Sequence, residues 1–152
     1  MLEIINGAAE AYRGLIPADR WHEPYMPGEE FNAEVAAGVE FWGYHDGASL
    51  VGVMGLQRLA DVDLIRHAYV RPGAQRGGVG GRLLEHIRGL SDQRILVGTW
   101  AAATWAIDFY RRHGFEPVAP TQIAPLLRAY WDIPDRQVRT SVVLASPPPA
   151  GE

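Results

Sequence analysis

The chain contains no cysteine. That excludes disulfides, thiol nucleophiles and thiolate metal sites, and it fits a reducing, cytoplasmic compartment. No apolar run is long enough to span a membrane, so no membrane partner is expected. The opening stretch, MLEIINGAAEAYRG, lacks a basic segment followed by an apolar one and does not read as a signal peptide. Basic residues are not in excess: 14 Lys+Arg against 18 Asp+Glu give a formal charge of -4. A nucleic-acid partner needs a basic surface, so none is expected, and a cationic or neutral substrate fits better. The five histidines show no metal-ligand spacing, so no metal is expected. There is no internal repeat and no Gly/Ser linker.

What is present is 152 residues, 47% of them hydrophobic, enough for one globular domain with a real core. That domain is expected over residues 1–145, followed by a flexible Pro-rich tail at 146–152. LEII reads as a short strand, AAEAYRGL as a helix and IPADRWHEPYMPGEE as a loop. GEEFNAEVAAG reads as a helix closed by Gly38. VEFWGYH and SLVGVMGLQ flank Asp46-Gly47-Ala48, a hairpin signal. DLIRHAYV is a further strand. Val79, Leu83, Leu84, Ile87 and Leu90 then keep a helical period. RILVGT is a buried-type strand, and TWAIDFYRRH a helix stopped by Gly114. FEPV reads as a short strand, IAPLLRAYW as a short helix and QVRTSVVL as the last strand. Antiparallel strands followed by a βαβ unit predict an α/β (α+β) fold with a mixed sheet and helices on both faces.

Between the third long strand and its helix lies VRPGAQRGGVGGRLLEHI, with glycine at 77, 78, 80 and 81. Glycine is a poor helix former. At a helix N-terminus, however, it lets unpaired backbone N–H groups approach an anion, and a phosphate is the usual one. A Walker loop is excluded, because no lysine stands at the required place. The dinucleotide fingerprint fails at its third glycine. The spacing that fits is Q-x-x-G-x-G, at Gln75, Gly78 and Gly80, after a strand ending at Val70 and Pro72.

This loop resembles the acetyl-CoA pyrophosphate loop of the GCN5-related N-acetyltransferases, the GNAT superfamily. A second segment, AAATWAIDFYRRHGF, resembles that family's A-x-x-F-Y-x-x-x-G-F, at Ala106, Phe109, Tyr110, Gly114 and Phe115. The wording of the chain suggests a bacterial branch. The resemblance implies a GNAT fold with about six to seven strands, acetyl-CoA as cosubstrate and a primary amine as acceptor. Transfer is expected to be direct, within a ternary complex. A non-catalytic acyl-CoA-binding module and a peptide or protein N-terminal acetyltransferase are the alternatives, and a homodimer is the base-rate expectation.

The resemblance assigns cofactor binding to Gln75, Arg76, Gly77, Gly78, Val79, Gly80 and Gly81. It adds the backbone of Ala68, Tyr69 and Val70, with the pantetheine arm entering where that strand and RILVGT splay apart. Many relatives carry Asn where this chain has Ala103, so Thr104 is the candidate replacement. Arg82 and Arg76 are candidates to supply charge. Tyr110 matches the family's general acid beside the sulfur.

An alkylammonium is only about one part in a thousand neutral near physiological pH, a handicap of about 4 kcal/mol, so a base is needed. His67 and Asp63 are favoured, acting through water, with Asp61 and Glu40 also in view. Strand alternation places Asp63, Ile65, His67 and Tyr69 on one face unless a bulge intervenes. The plainer readings are a half-buried histidine bonded to a carbonyl and a polar strand start. Trp21, Tyr25, Glu30 and Trp42 are expected in the acceptor pocket, with His22, Met26, Phe41, Tyr44, Glu29 and Glu34 nearby.

Overall fold

Leu64-Ile65, Leu96-Val97 and Val143-Leu144 are adjacent apolar pairs, so each strand offers one large side chain to either face of a sheet. The computed structural model describes residues 4–6, 28–71, 78–131 and 133–146. After helix α1 (Gly28–Ala36), strands β1 (Val39–Asp46), β2 (Ser49–Arg58) and β3 (Asp63–Val70) form an antiparallel meander. Helix α2 (Val79–Leu90) crosses over to β4 (Ile95–Trp100), which lies parallel to β3. Helix α3 (Thr104–Arg112), β5 (Glu116–Pro117), α4 (Pro120–Tyr130), α5 (Asp135–Arg139) and β6 (Ser141–Ala145) complete the described chain. The six strands lie in the order β1-β2-β3-β4-β6-β5.

The paired apolar residues divide the core as their alternation requires. Ile65, Val97 and Leu144 pack under α2 and α3 with Leu83, Leu84, Ile87, Tyr110 and Phe115. Leu64, Leu96 and Val143 pack on the other face against Leu127 of α4 and Val138 of α5. Ile4 and Ile5 bury against Val53 of β2, with Phe31 and Phe41 alongside. Helices therefore cover both faces of a mixed sheet, as expected.

Three expectations need correction. Residues 4–6 are helical, not a strand; two adjacent isoleucines satisfy either period, and burial against Val53 decides. QVRTSVVL is split. Asp135–Arg139 is helical behind Pro134, Asp135 suits a helix N-terminus, and Val138 is buried in the α4 face, so the strand begins only at Ser141. Ser146, placed in the tail, is only 4% exposed, and its hydroxyl accepts the Ile95 amide at 2.9 Å. The expected helix at AAEAYRGL lies outside the described residues.

Two irregularities shape the sheet. Val53 pairs with Tyr69 and Gly55 with Arg66, so Met54 alone spans His67 and Ala68. This is a bulge in β3, and His67 has φ 55, the one positive φ among the described non-glycine residues. Gly55 makes room for it: a Cβ there would lie 2.7 Å from the Arg66 carbonyl oxygen. Second, β3 and β4 pair only at Asp63–Ile95, Leu64–Leu96 and Ile65–Val97, whereas β4 pairs with β6 out to Trp100. Beyond Ile65 the two parallel strands part.

Candidate active site

The parting of β3 and β4 opens a cleft of about 850 Å³. One wall is the bulged end of β3, His67 to Val70; the other is Val97, Gly98 and Thr99 of β4. The start of α2 closes one end through Gly78, Gly80 and Gly81, and α3 lines it with Trp105, Ala106, Phe109, Tyr110, Arg112 and His113. Gly78 caps α2 with φ 76, a conformation that leaves the first-turn amides without side-chain competition.

Glycine has a second use here. A Cβ on Gly80 would meet the Phe109 ring at 3.1 Å, and one on Gly81 would lie 2.9 Å from His113 Nε2. The first turn of α2 is thus pressed against α3, and the helix propensity lost to glycine is exchanged for close approach. His113 is held in place by Nδ1 donating to the Phe109 carbonyl at 2.8 Å. Arg88 Nη1 in turn donates to the His113 carbonyl.

Tyr110 is 5% exposed and lines the cleft, with edge contacts to Phe109 at 5.1 Å and Phe115 at 5.6 Å. His67 also lines it, and its Nε2 lies 2.6 Å from Glu34 Oε2 of α1. The bulge puts it there: without the extra residue the simple alternation from Asp63 would hold. Phe41 stacks on the imidazole at 6.1 Å. Burial opposes ionisation of Glu34, but the hydrogen bond and charge of His67, with the charge of Arg66, outweigh it and hold the carboxyl below its ordinary value. Burial lowers the Arg66 guanidinium, and Glu34 partly offsets this. Arg66 donates to Gln57 Oε1 at 2.7 Å and to the Tyr130 carbonyl at 3.2 Å, which ties the bulge to the end of α4.

Of the residues singled out in the sequence, Tyr110, His67, Ala68, Tyr69, Val70, Gly78, Gly80 and Gly81 meet around this cleft. Gln75, Arg76, Gly77, Trp21 and Tyr25, with His22 and Met26, lie outside the described residues. Others stand elsewhere. Asp63 is 2% exposed at the far end of β3, where it accepts from Ser91 Oγ at 2.5 Å and Gln93 Nε2 at 2.8 Å; it joins the starts of β3 and β4 and is no base. Val79 buries its side chain in the core, so only its first-turn amide is available to an anion.

Thr104 is exposed and does not line the cleft; Ala103, where Asn is common, is fully buried, and Thr99 with Gly98 faces the arm's path instead. Trp42, opposite Met54, points under α2 and meets His86 edge-on at 4.4 Å, because strand alternation sends Phe41 rather than Trp42 toward His67. Glu30 is exposed in the first turn of α1 and is absent from the lining. Arg82 donates to the Tyr44 hydroxyl at 2.5 Å, Glu40 pairs with Arg58 at 3.5 Å, and Asp61 accepts from the Tyr130 hydroxyl at 2.6 Å. That hydrogen bond raises the Tyr130 phenol.

Sequence reasoning missed Trp105, Arg112 and His113 as cleft residues. The signal was available for His113, which stands four residues after Phe109 and three after Tyr110 on one helix face.

A mixed sheet parted between two parallel strands, with a helix N-terminus at the gap, is the architecture of a GNAT acetyltransferase. The family model described as an acetyltransferase (GNAT) domain matches residues 37–117, more than half of the chain. The chain belongs to this family and is an acyltransferase. No match is found among curated proteins. A GNAT-family acetyltransferase from Staphylococcus aureus Mu50 superposes with a TM-score of 0.68 at 19% identity, over 95% of this chain and 89% of that one. The PaiA N-acetyltransferase from Thermoplasma acidophilum, solved with coenzyme A, gives 0.64 at 13% identity over 95% and 89%. A GNAT acetyltransferase from Elizabethkingia anophelis with acetyl-CoA bound gives 0.61 at 16% identity over 79% and 83%.

Proposed function

We propose that the protein moves the acetyl group of acetyl-CoA directly to a primary amine of a small molecule, in a ternary complex at the parted strands. The observation that carries this reading is the cleft that joins the α2 N-terminus, Tyr110 and the stretch of β3 beyond its pairing with β4. The first-turn amides of α2 take the diphosphate, helped by the positive end of the helix dipole. The backbone of Ala68 to Val70, beyond the last β3–β4 pair and lining the cleft, bonds the pantetheine amides. Holding both reactants in one cleft supplies up to about 7–11 kcal/mol of the acceleration. His67 takes one proton from the incoming ammonium and passes it to solvent. The neutral amine attacks the thioester carbonyl, a C–N bond forms and the C–S bond breaks. Tyr110 gives its proton to the departing thiolate and regains one from the new amide nitrogen. The lining suits this traffic: Arg112 and the helix N-terminus favour an anion, and Glu34, behind His67, adds negative charge that favours a cation.

Thermal unfolding with acetyl-CoA tests the binding half, since ligand at a hundredfold over Kd stabilises by about 2.7 kcal/mol. Free-thiol release over polyamines, amino acids, aminoglycosides and short peptides tests the transfer half. Tyr110→Phe should lower kcat by about 10²-fold or more while the acetyl-CoA thermal shift persists. No shift with millimolar acetyl-CoA would overturn the reading. A shift without thiol release on any amine would favour a non-catalytic acyl-CoA-binding module, and release on peptides alone would favour N-terminal acetylation.

A further inference from the structure

His67 and Glu34 come from different elements, and neither has an ordinary reason to be where it is. His67 adopts φ 55 in the middle of a strand, a conformation that costs a non-glycine residue about 1–2 kcal/mol. Glu34 belongs to an α1 helix with no fully buried residue, yet its side chain is only 22% exposed and that of His67 only 18%. The two meet at 2.6 Å, the length of a charge-assisted hydrogen bond. The carboxyl is held below its ordinary value by His67 and Arg66 despite its burial, so it stands ready as an acceptor.

An ionised carboxylate only accepts hydrogen bonds. The imidazole nitrogen facing it must therefore carry the hydrogen, and that nitrogen is Nε2. In the neutral ring Nδ1 is then bare, and it has no hydrogen-bond partner among the described residues. We infer that Glu34 is a positioning residue: it selects the Nε2–H tautomer of His67 and leaves Nδ1 as the atom that accepts the substrate's proton. Phe41 closes one face of the ring and so limits its rotation out of this arrangement. His67 chiefly keeps the carboxyl low, and Arg66, whose own donors are engaged by Gln57 and Tyr130, adds a smaller push in the same direction. The proton balance is simple. The ammonium N–H bond breaks, its electron pair stays on nitrogen, and the proton joins Nδ1 to give an imidazolium whose Nε2–H remains on the carboxylate. Solvent takes the proton back before the next turnover. This role rests on the reading of the cleft as an amine-acetylating centre, but its geometry can be tested without it.

Long-range proton–nitrogen NMR on histidine-labelled protein reads the tautomer directly and needs no ligand. The wild-type His67 ring should be protonated at Nε2 and bare at Nδ1. Glu34→Gln presents an amide that both donates and accepts, and Glu34→Leu presents neither, so both should show mixed or reversed tautomers; Glu34→Asp should restore the wild-type pattern in part. Acetyl-CoA hydrolysis to free thiol, with water as acceptor, should fall about 10²-fold or more in Glu34→Gln, with acetyl-CoA KM and thermal shift within about twofold of wild type. A wild-type ring protonated at Nδ1, or a tautomer that is the same in wild type, Glu34→Gln and Glu34→Leu, would overturn the inference. Failure of wild-type protein to respond to acetyl-CoA would overturn the proposed function instead, and leaves the tautomer result to decide the pairing.

Discussion

His67 and Asp63 both stand in the strand DLIRHAYV as candidate bases, and their surroundings separate them. Asp63 is buried with two donors supplied by the chain that precedes β4. Removing it leaves Ser91 and Gln93 without their acceptor, so Asp63→Ala should cost about 1.5–3 kcal/mol in urea unfolding and leave acetyl-CoA binding unchanged. Loss of binding with stability intact would return Asp63 to the site. His67 is the reverse case, a residue kept at a position its backbone disfavours. His67→Gly and His67→Ala both delete the imidazole and its bond to Glu34, and they differ only in tolerance of a positive φ. The glycine variant should be the more stable by about 1 kcal/mol, although both should be inactive in thiol release. An alanine variant as stable as the glycine one would mean that the bulge relaxes when the ring is gone.

The bulge itself is a property of two strands. β3 accommodates an extra residue because β2 places Gly55 opposite Arg66, where any Cβ would press on the Arg66 carbonyl. Arg66 then reaches across to the end of α4, so the irregularity is clamped from both sides. Gly55→Ala should destabilise the protein by about 1–3 kcal/mol, since the neighbour is backbone and cannot rotate away. It should also weaken acetyl-CoA binding through displacement of Ala68 and Tyr69, which a thermal-shift titration would read. The same alanine with unaltered stability and unaltered binding would argue that the bulge owes nothing to Gly55. The parting of β3 from β4 is the other strand-level device. It ends the β3–β4 ladder at Ile65, where a continuous sheet would carry it on, and opens the cleft there.

Across the whole molecule the cleft brings unlike groups together. The α2 N-terminus, Arg112 and His67 line it, and Glu34 stands behind His67 at 2.6 Å. The sequence has arginine and no lysine, so the guanidinium charge of Arg112 is fixed across the working pH range. Among the described carboxyls, Glu34 is the one whose titration is shifted. Folded, it binds its proton less readily than unfolded, so unfolding takes up a proton at acid pH. Its contribution to stability is full above the ordinary carboxyl value of 4.5 and is lost as pH falls through the lower folded value. The urea midpoints of wild type and Glu34→Gln should therefore differ most near about pH 7 and converge toward about pH 3. A gap of constant size over that range would show that the carboxylate's charge adds nothing to the fold.

The sequence alone determined what depends on local spacing. Periodicity and turn residues placed α2, α3 and the long strands within a residue or two, and the glycines at the start of α2 marked one wall of the cleft, because helix starts and backbone freedom are read from neighbours along the chain. Tyr110 was legible for the same reason, being carried by a motif on one helix. The tertiary structure decided what depends on contacts between distant segments. A bulge is an unequal count between two strands, so neither strand shows it. The pairing of Glu34 with His67 joins residues 33 apart in the chain, and Asp63 and Trp42 are held away from the cleft by Ser91, Gln93 and His86. Residues 137–139 read as the start of the last strand but fold as the end of α5, because Val138 answers to burial against α4, which no local period records.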